Sequence, residues 1–352
     1  MRSEYVGVFG ANGHTGRFVA AELARRGIQA RWIGRDQNAL RALQFDLQHG
    51  DVRVASVADA ASLARAFDGL GAVINCAGPF FDTSRPVIAA ALAAGSHYLD
   101  VTAEQATVLD TIEMWDRPAK AAERVVLPAM AFFGGLADLI ATSTLGTWTT
   151  VDAIAVAVAL DSWHPTPGTR LTGQRNTAAR VIVRDGTLSA VPTPPPSGTW
   201  DFPAPFGSQP VKCVALSEII TLSRHIEANA ITSYMTMRPL ADLADTTTPP
   251  PKASDALGRS DQRFAMAVRV RRGAQVRESV FMGRDIYAVS APLIVEASAR
   301  LLRESETGHS GVSSPGEIFD ATDFLASLGD VLERVQMPTA RRGEFVHAGT
   351  AS

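Results

Sequence analysis

Apolar runs and turn residues alternate in a repeating unit along the first hundred positions. Tyr5–Phe9 is a short apolar run, and residues 14–26 then carry Phe18, Val19, Leu23 and Ala24 at helical spacing. The unit recurs. Ala30–Ile33 precedes a helix over 37–47, Val52–Ala55 a helix over 59–67, and Ala72–Asn75 a helix over 84–94, with His97–Leu99 as a fifth strand. Short apolar runs bounded by turn residues read as strands, and 3.6-residue periodicity reads as helix. Strand–helix repeats of this length predict an α/β fold: a doubly wound parallel sheet with helices on both faces. Its ligand crevice lies at the carboxyl ends of the strands.

After Pro128 the pattern changes. Gly134-Gly135 opens a helix to about 145, and Val151–Leu160 is a nearly continuous apolar strand. Ser162-Trp163-His164-Pro165 stops it, and Thr169 opens a helix through Ala179. Val181–Val183 and the turn at Asp185-Gly186 follow. Residues 192–210 are rich in Pro, Gly and Ser and predict a loop ordered by Trp200, Phe202 and Phe206, of a length used for lids or partner contacts. Thr246–Ser254 is a second Pro-rich break. Arg263–Arg271 and Val276–Gly283 flank Gly273 as an antiparallel hairpin. A helix over Tyr287–Leu302, a turn at 313–317, a last helix over Phe324–Val335 and a frayed tail beyond Met337 complete the chain. This half predicts a second, α+β domain.

Composition narrows the function classes. With 352 residues and 46% hydrophobic positions, the chain is long enough for two domains and a sizeable core. A net charge of −3 gives no basis for binding nucleic acid or an anionic membrane. Cys76 and Cys213 are far apart and have no metal-ligand spacing, which points to a reduced, cytoplasmic setting. A strand begins within a few residues of Met1, leaving no room for a signal peptide, and no apolar run is long enough to span a bilayer. A small-molecule substrate and a homodimer built through the second sheet are the expected partners.

The chemistry concentrates first at Gly10-Ala11-Asn12-Gly13-His14-Thr15-Gly16, between the first strand and the first helix. Three glycines three apart permit a sharp turn, close approach of the backbone to phosphate oxygens, and close packing of helix on sheet. The free amides of the first helical turn and the positive end of its dipole suit a dinucleotide diphosphate. At the end of the second strand, an acidic residue would bind the 2′-hydroxyl of NAD and an arginine the 2′-phosphate of NADP; with Asp36 placed to cap the following helix, Arg35 is the expected phosphate contact, its alternative being a solvated surface charge. At the end of the fourth, Asn75, Ala77, Gly78 and Pro79 form a rigid rim beside the nicotinamide. Cys76 reads as a small buried filler.

The segments GANGHTG, NCAGPF and then Gly95-Ser96-His97-Tyr98-Leu99-Asp100-Val101-Thr102-Ala103-Glu104, in that order, resemble the saccharopine dehydrogenase-like family, which includes trans-acting enoyl reductases. The resemblance covers about the first 105 residues, with Ala103 where the family usually has Gly. It implies a Rossmann domain, a second α+β domain, a nicotinamide cofactor, and hydride chemistry at a C–N or C=C bond. The expected division is a dinucleotide-binding domain over 1–127 and a substrate or dimerisation domain over 128–285. Helices over 286–340 return to the first domain, and a tail occupies 341–352.

Several constellations are absent from the sequence: Tyr-x-x-x-Lys, Gly-x-Ser-x-Gly and HExxH. Candidates for acid–base work are Tyr98, Asp100 and Glu104 at the fifth strand end, where a carboxylate stabilises an iminium or relays a proton. The structural alternative is a core Tyr98 and a helix-capping Asp100. His164 and Tyr287 are lesser candidates. The leading expectation is an NADPH-dependent reductase of a C=N bond in a small metabolite, or the reverse amine oxidation. An enoyl reductase and a non-catalytic NADP-binding regulator or scaffold are the alternatives.

Overall fold

The computed structural model describes residues 4–303 and 309–335. Its elements begin β1 (Val6–Phe9), α1 (His14–Arg25), β2 (Ala30–Gly34), α2 (Gln37–Leu47), β3 (Asp51–Val54), α3 (Ala60–Phe67), β4 (Ala72–Asn75), α4 (Phe80–Ala93), β5 (His97–Asp100), α5 (Gln105–Ala121) and β6 (Val125–Leu127). They continue α6 (Gly135–Leu145), β7 (Thr150–Leu160), α7 (Pro167–Arg175), β8 (Val181–Arg184), β9 (Thr187–Ala190), β10 (Ser197–Asp201), β11 (Ser208–Cys213), α8 (Glu218–His225), β12 (Glu227–Thr236) and α9 (Met237–Ala244). The last are β13 (Arg263–Arg272), β14 (Gln275–Arg284), α10 (Ser290–Arg303), β15 (Gly311–Val312), α11 (Pro315–Ile318), α12 (Ala321–Ala326) and β16 (Leu332–Val335).

The first sheet runs β15-β6-β5-β4-β1-β2-β3 with every pairing parallel, the strand order of a Rossmann fold with one added edge strand. Side chains alternate between two cores, as period-two geometry requires. Val6, Val8, Ile74 and Leu99 face the core that holds Val19 and Leu23 of α1 and Leu293 and Ile294 of α10. Phe9, Ile33, Val73 and Tyr98 face the core of Leu63 and Phe67 of α3 and Val87 and Ile88 of α4. The alternation that makes the sheet therefore turns Tyr98 under α4 rather than over the strand ends.

The second sheet runs β10-β11-β12-β7-β13-β14-β16, with β8 attached to β12 and β9 to β8. Only β12–β7 is parallel. On β7, Ile154, Val156 and Val158 fall on one face and Ala153, Ala155 and Ala157 on the other. β13 continues the pattern, Val268 pairing with Val156 and Arg269 with Ala155. On that small-residue face the buried Arg269 guanidinium lies 4.0 Å from the centre of the Trp200 ring and pairs with Glu278 at 2.8 Å. The chain returns to the first sheet through α10, which packs on α1, with Arg26 joined to Glu296, and through β15.

Four expectations are corrected. Residues 192–210 contain most of a β-hairpin, β10–β11, because Trp200 and Phe202 are buried and the backbone pairs from Ser197↔Lys212 to Asp201↔Ser208. The helix expected over 84–94 begins at Phe80, because a carboxylate from another element caps it there. The helix expected at 169–179 is Pro167–Arg175, started by the Thr166 hydroxyl, which accepts the Thr169 amide. The helix expected over 324–335 is short: a turn containing Gly329 ends it, and Leu332–Val335 pairs with the free edge of β14. The expected tail beyond Met337 lies outside the described residues. No described helix is long and apolar enough to cross a membrane.

Candidate active site

The turn between β1 and α1 is held by main chain alone. Gly10 takes φ +82°, and a Cβ there would lie 2.9 Å from the Ala77 Cβ, so only glycine fits where this turn meets the β4 end. A Cβ at Gly16 would collide with the Gly10 carbonyl. Gly13 is the N-cap of α1 and supplies no side-chain cap. The amides of His14, Thr15 and Gly16 consequently make no hydrogen bond among the described residues and point out of the helix end. Asn12 sits beside them, its side chain reaching toward Gly34 and its carbonyl accepting from Arg17 Nε at 3.2 Å.

At the β2 end, the Asp36 Oδ1 accepts the amides of Asn38 and Ala39, at 3.0 and 3.1 Å, and caps α2. Arg35 is exposed and has no hydrogen bond or ion pair among the described residues.

The β4 end forms the opposite rim. Asn75 is fully buried. Its Oδ1 accepts the Ala77 amide at 3.0 Å, and its Nδ2 donates to Thr83 Oγ1 and Tyr98 Oη, each at 3.2 Å. Gly78 is exposed at the crest, while Pro79 is buried and leads into α4. Tyr98, Asp100 and Glu104 lie beneath this rim, each engaged. The Tyr98 hydroxyl donates to Asp100 Oδ2 at 2.9 Å, and Asp100 Oδ1 accepts the Thr102 and Ala129 amides at 3.0 and 2.9 Å. Burial pushes Asp100 up to about 6, against those two amides and Tyr98, which pull it down. Burial and then the neighbouring Asp100 hold the Tyr98 phenol well above its ordinary range. Burial likewise pushes the Cys76 thiol up, in keeping with a filler. Glu104 caps α4 by accepting the Phe80 and Phe81 amides. All three side chains hold the rim in shape.

The second half of the chain covers the crevice. Thr166, Thr169 and Thr172 are three apart on α7 and its cap. Thr172 Oγ1 lies 3.5 Å from where a Cβ on Gly78 would stand. The Tyr287 hydroxyl meets Trp163 Nε1 at 3.0 Å, the Thr166 amide at 3.4 Å and Thr169 Oγ1 at 3.0 Å. Its ring stands edge-on to His14 at 5.1 Å. Asp285, in the left-handed region at φ 56°, positions it. Oδ1 accepts the Tyr287 and Ala288 amides, and Oδ2 accepts the amide and hydroxyl of Ser260. His164, by contrast, lies within hydrogen-bond distance of the Pro249 carbonyl, through Nδ1 at 3.2 Å. The sequence reading passed over Thr166, Thr172 and Asp285. The signal available for the first two was the spacing of three hydroxyls at one-turn intervals after a strand end.

Sheet order, glycine turn and rim together define a Rossmann-type dinucleotide-binding domain. Residues 6–127 match the family model described as saccharopine dehydrogenase NADP binding domain. No curated protein matches the chain. Among solved structures, the fold is similar to that of apo histidine-tagged saccharopine dehydrogenase (L-Glu forming) from Saccharomyces cerevisiae, at TM-score 0.65 and 11% identity over 95% of this chain and 100% of that one. Lower-scoring likenesses include GenD2 from gentamicin A biosynthesis in complex with NAD, at TM-score 0.46 and 12% identity over 96% and 97% of the two chains. Another is serine dehydrogenase from Escherichia coli, at TM-score 0.30 and 13% identity over 35% and 80%.

The cofactor is a nicotinamide dinucleotide, and the turn fits one. Three unpaired amides and a buried His14 Nε2 with no partner make a polar set suited to an anionic ligand. Burial lowers the His14 imidazole below its ordinary value, although Asp285 opposes this, so the ring is neutral near pH 7.

Proposed function

We propose that the protein is an NADPH-dependent oxidoreductase that transfers hydride to the C=N bond of an imine or iminium in a small metabolite, or runs the reverse amine oxidation. The observation that carries this reading is the open, uncapped start of α1 opposite the Gly78–Pro79 rim. Residues Gly10 to Gly16 would hold the diphosphate through Ala11, Asn12, Gly13, His14 and Thr15, and Arg35 the 2′-phosphate. With Asp36 engaged as a helix cap, the neighbouring guanidinium is the free group at the ribose end, which supports NADPH over NADH. Ala77, Gly78 and Pro79 would flank the nicotinamide, and Asn75 holds that segment in place. The bound dinucleotide supplies the hydride.

The chain's own residues do the rest. Tyr98, Asp100 and Glu104 fix the rim from below as positioning residues, and the hydroxyls on α7 face the crevice from above. Similarity along nearly the whole chain to a saccharopine dehydrogenase supports C–N chemistry over C=C chemistry. The test is calorimetry with NADPH and NADH, followed by reduced-nicotinamide absorbance with a panel of imines and enones. Tighter binding of NADPH and turnover of imines are expected. Absence of heat with either nucleotide removes the reading, and turnover of enones alone replaces the C=N assignment.

A further inference from the structure

Tyr287 stands where the phosphate turn and the cover meet, and the groups around its hydroxyl give the proton there a direction. An indole N–H and a backbone N–H can only donate. Trp163 Nε1 and the Thr166 amide therefore both donate to the phenolic oxygen, and its own hydrogen is left for Thr169 Oγ1. Thr169 Oγ1 in turn lies 2.9 Å from Thr166 Oγ1, which already accepts the Thr169 amide at 3.0 Å. The Tyr287 oxygen thus has two fixed N–H donors, the arrangement that stabilises an oxyanion when a proton departs. The same helix reaches the ring-side rim through Thr172.

We propose that Tyr287 is the proton donor of this crevice, with Thr169 as its exchange partner; the assignment rests on reading the crevice as a hydride-transfer site. The Tyr287 proton passes to Thr169 Oγ1 as the Thr169 hydroxyl gives its own proton to the substrate nitrogen: the two O–H bonds break, and an O–H bond on Thr169 and an N–H bond on the substrate form. The electron pair that reduces the C=N bond comes from the reduced nicotinamide dinucleotide. Trp163 and the Thr166 amide hold the resulting phenolate, which regains a proton from water by way of Thr169. Burial pushes the Tyr287 phenol up, while Thr169, Trp163 and the Thr166 amide pull it down. The net rise keeps the resting group protonated, as a donor must be. The titratable groups facing it are His14 and Asp285.

The test uses tyrosinate absorbance in alkaline titrations without nucleotide, with NADP+ and with NADPH, alongside calorimetry. A cationic ring close to the hydroxyl favours the phenolate, so NADP+ is expected to move one of the four tyrosines downward by about one pH unit or more. NADPH, whose ring is neutral, is expected not to, and Tyr287→Phe to abolish the NADP+ effect. Trp163→Phe keeps the phenol but deletes one donor, and is expected to move the same titration upward. Nucleotide binding without an NADP+-specific shift overturns the assignment and leaves the hydride-transfer reading standing. Failure of both nucleotides to bind removes both.

Discussion

Glu104 Oε1 accepts the Phe80 amide at 3.0 Å, and its Oε2 accepts the Phe81 amide at 3.2 Å. A carboxylate from the β5–α5 connection thus caps the start of α4, where the helix dipole favours negative charge. Thr107 Oγ1 donates a third bond, at 2.7 Å. Because Gly78 and Pro79 immediately precede the capped turn, this carboxylate sets the height of the rim. Glu104→Ala is expected to destabilise the fold by about 2 kcal/mol, the order for a buried charged acceptor removed from its donors. Glu104→Gln, which keeps one acceptor, is expected to cost less. Urea denaturation checks the stability, and NADPH titration checks the rim, where weaker binding is expected for both variants.

The first sheet was legible because its strands are short, apolar and punctuated by glycine, and because Gly10, Gly13 and Gly16 announce their own geometry. Asp36 was legible as a cap for the same local reason. What escaped is decided at a distance. Glu104 reads as a free carboxylate until α4 arrives at its side, and nothing local to Phe80 announces the helix that begins there. The β10–β11 hairpin reads as loop because its prolines and glycines hide the burial of Trp200 against Arg269, nearly seventy residues later. β15 has two residues and exists only because the edge of β6 is free to receive it. The cover could not be placed over the rim from sequence, since the Tyr287–Trp163 bond joins positions 124 apart.

Arg35 and Asp36 divide their work: one is exposed and unpaired, the other holds the Asn38 and Ala39 amides. Under the proposed assignment, removing the guanidinium would take a charge-assisted contact from the 2′-phosphate and nothing from NADH. Arg35→Ala is expected to weaken NADPH by about 10- to 100-fold, the equivalent of roughly 1.4–3 kcal/mol, with NADH changed by less than about threefold. Calorimetry with both nucleotides decides it. Equal losses would place the 2′-phosphate elsewhere.

His225 closes α8 onto α6 through Asp138, its Nε2 lying 3.1 and 3.2 Å from the two oxygens of a fully buried carboxylate. Asp138 Oδ1 also takes the Gly316 amide at 2.9 Å, so α11 joins the same clamp. Burial alone would lower the imidazole. The charge and hydrogen bond of Asp138, with Glu317, outweigh it and raise His225 above 6.5. The folded state therefore binds the proton more tightly than the unfolded state. This stabilisation is fully present below 6.5 and is lost as pH rises through the raised folded value. The urea midpoint is expected to fall with rising pH over that window. His225→Gln, which still donates to Asp138 but does not titrate, is expected to flatten that part of the profile.

Asp82 and Arg175 join the first turn of α4 to the last turn of α7, with the Arg175 guanidinium also 5.0 Å from the centre of the Phe81 ring. No residue of α7 is buried, so the helix is held across the rim by polar contacts: this pair at its end, Tyr287 with its threonines at its start, and between them Arg170, whose Nη2 donates to the Asp245 and Thr248 carbonyls at 3.0 and 2.8 Å. Both partners of the pair are partly exposed, at 44% and 36% of their side-chain surface, which limits the bond to about 1 kcal/mol or less. An element tied so lightly opens locally at small expense. Arg175→Ala is expected to raise hydrogen exchange in residues 167–175 by up to about fivefold, the factor that 1 kcal/mol represents, without moving the global urea midpoint. Asp82→Arg combined with Arg175→Asp restores the pair with its charges exchanged, and is expected to return the exchange rate most of the way. Exchange in α7 as slow as in the buried α10, and indifferent to both variants, would show that the helix is held by something other than this pair.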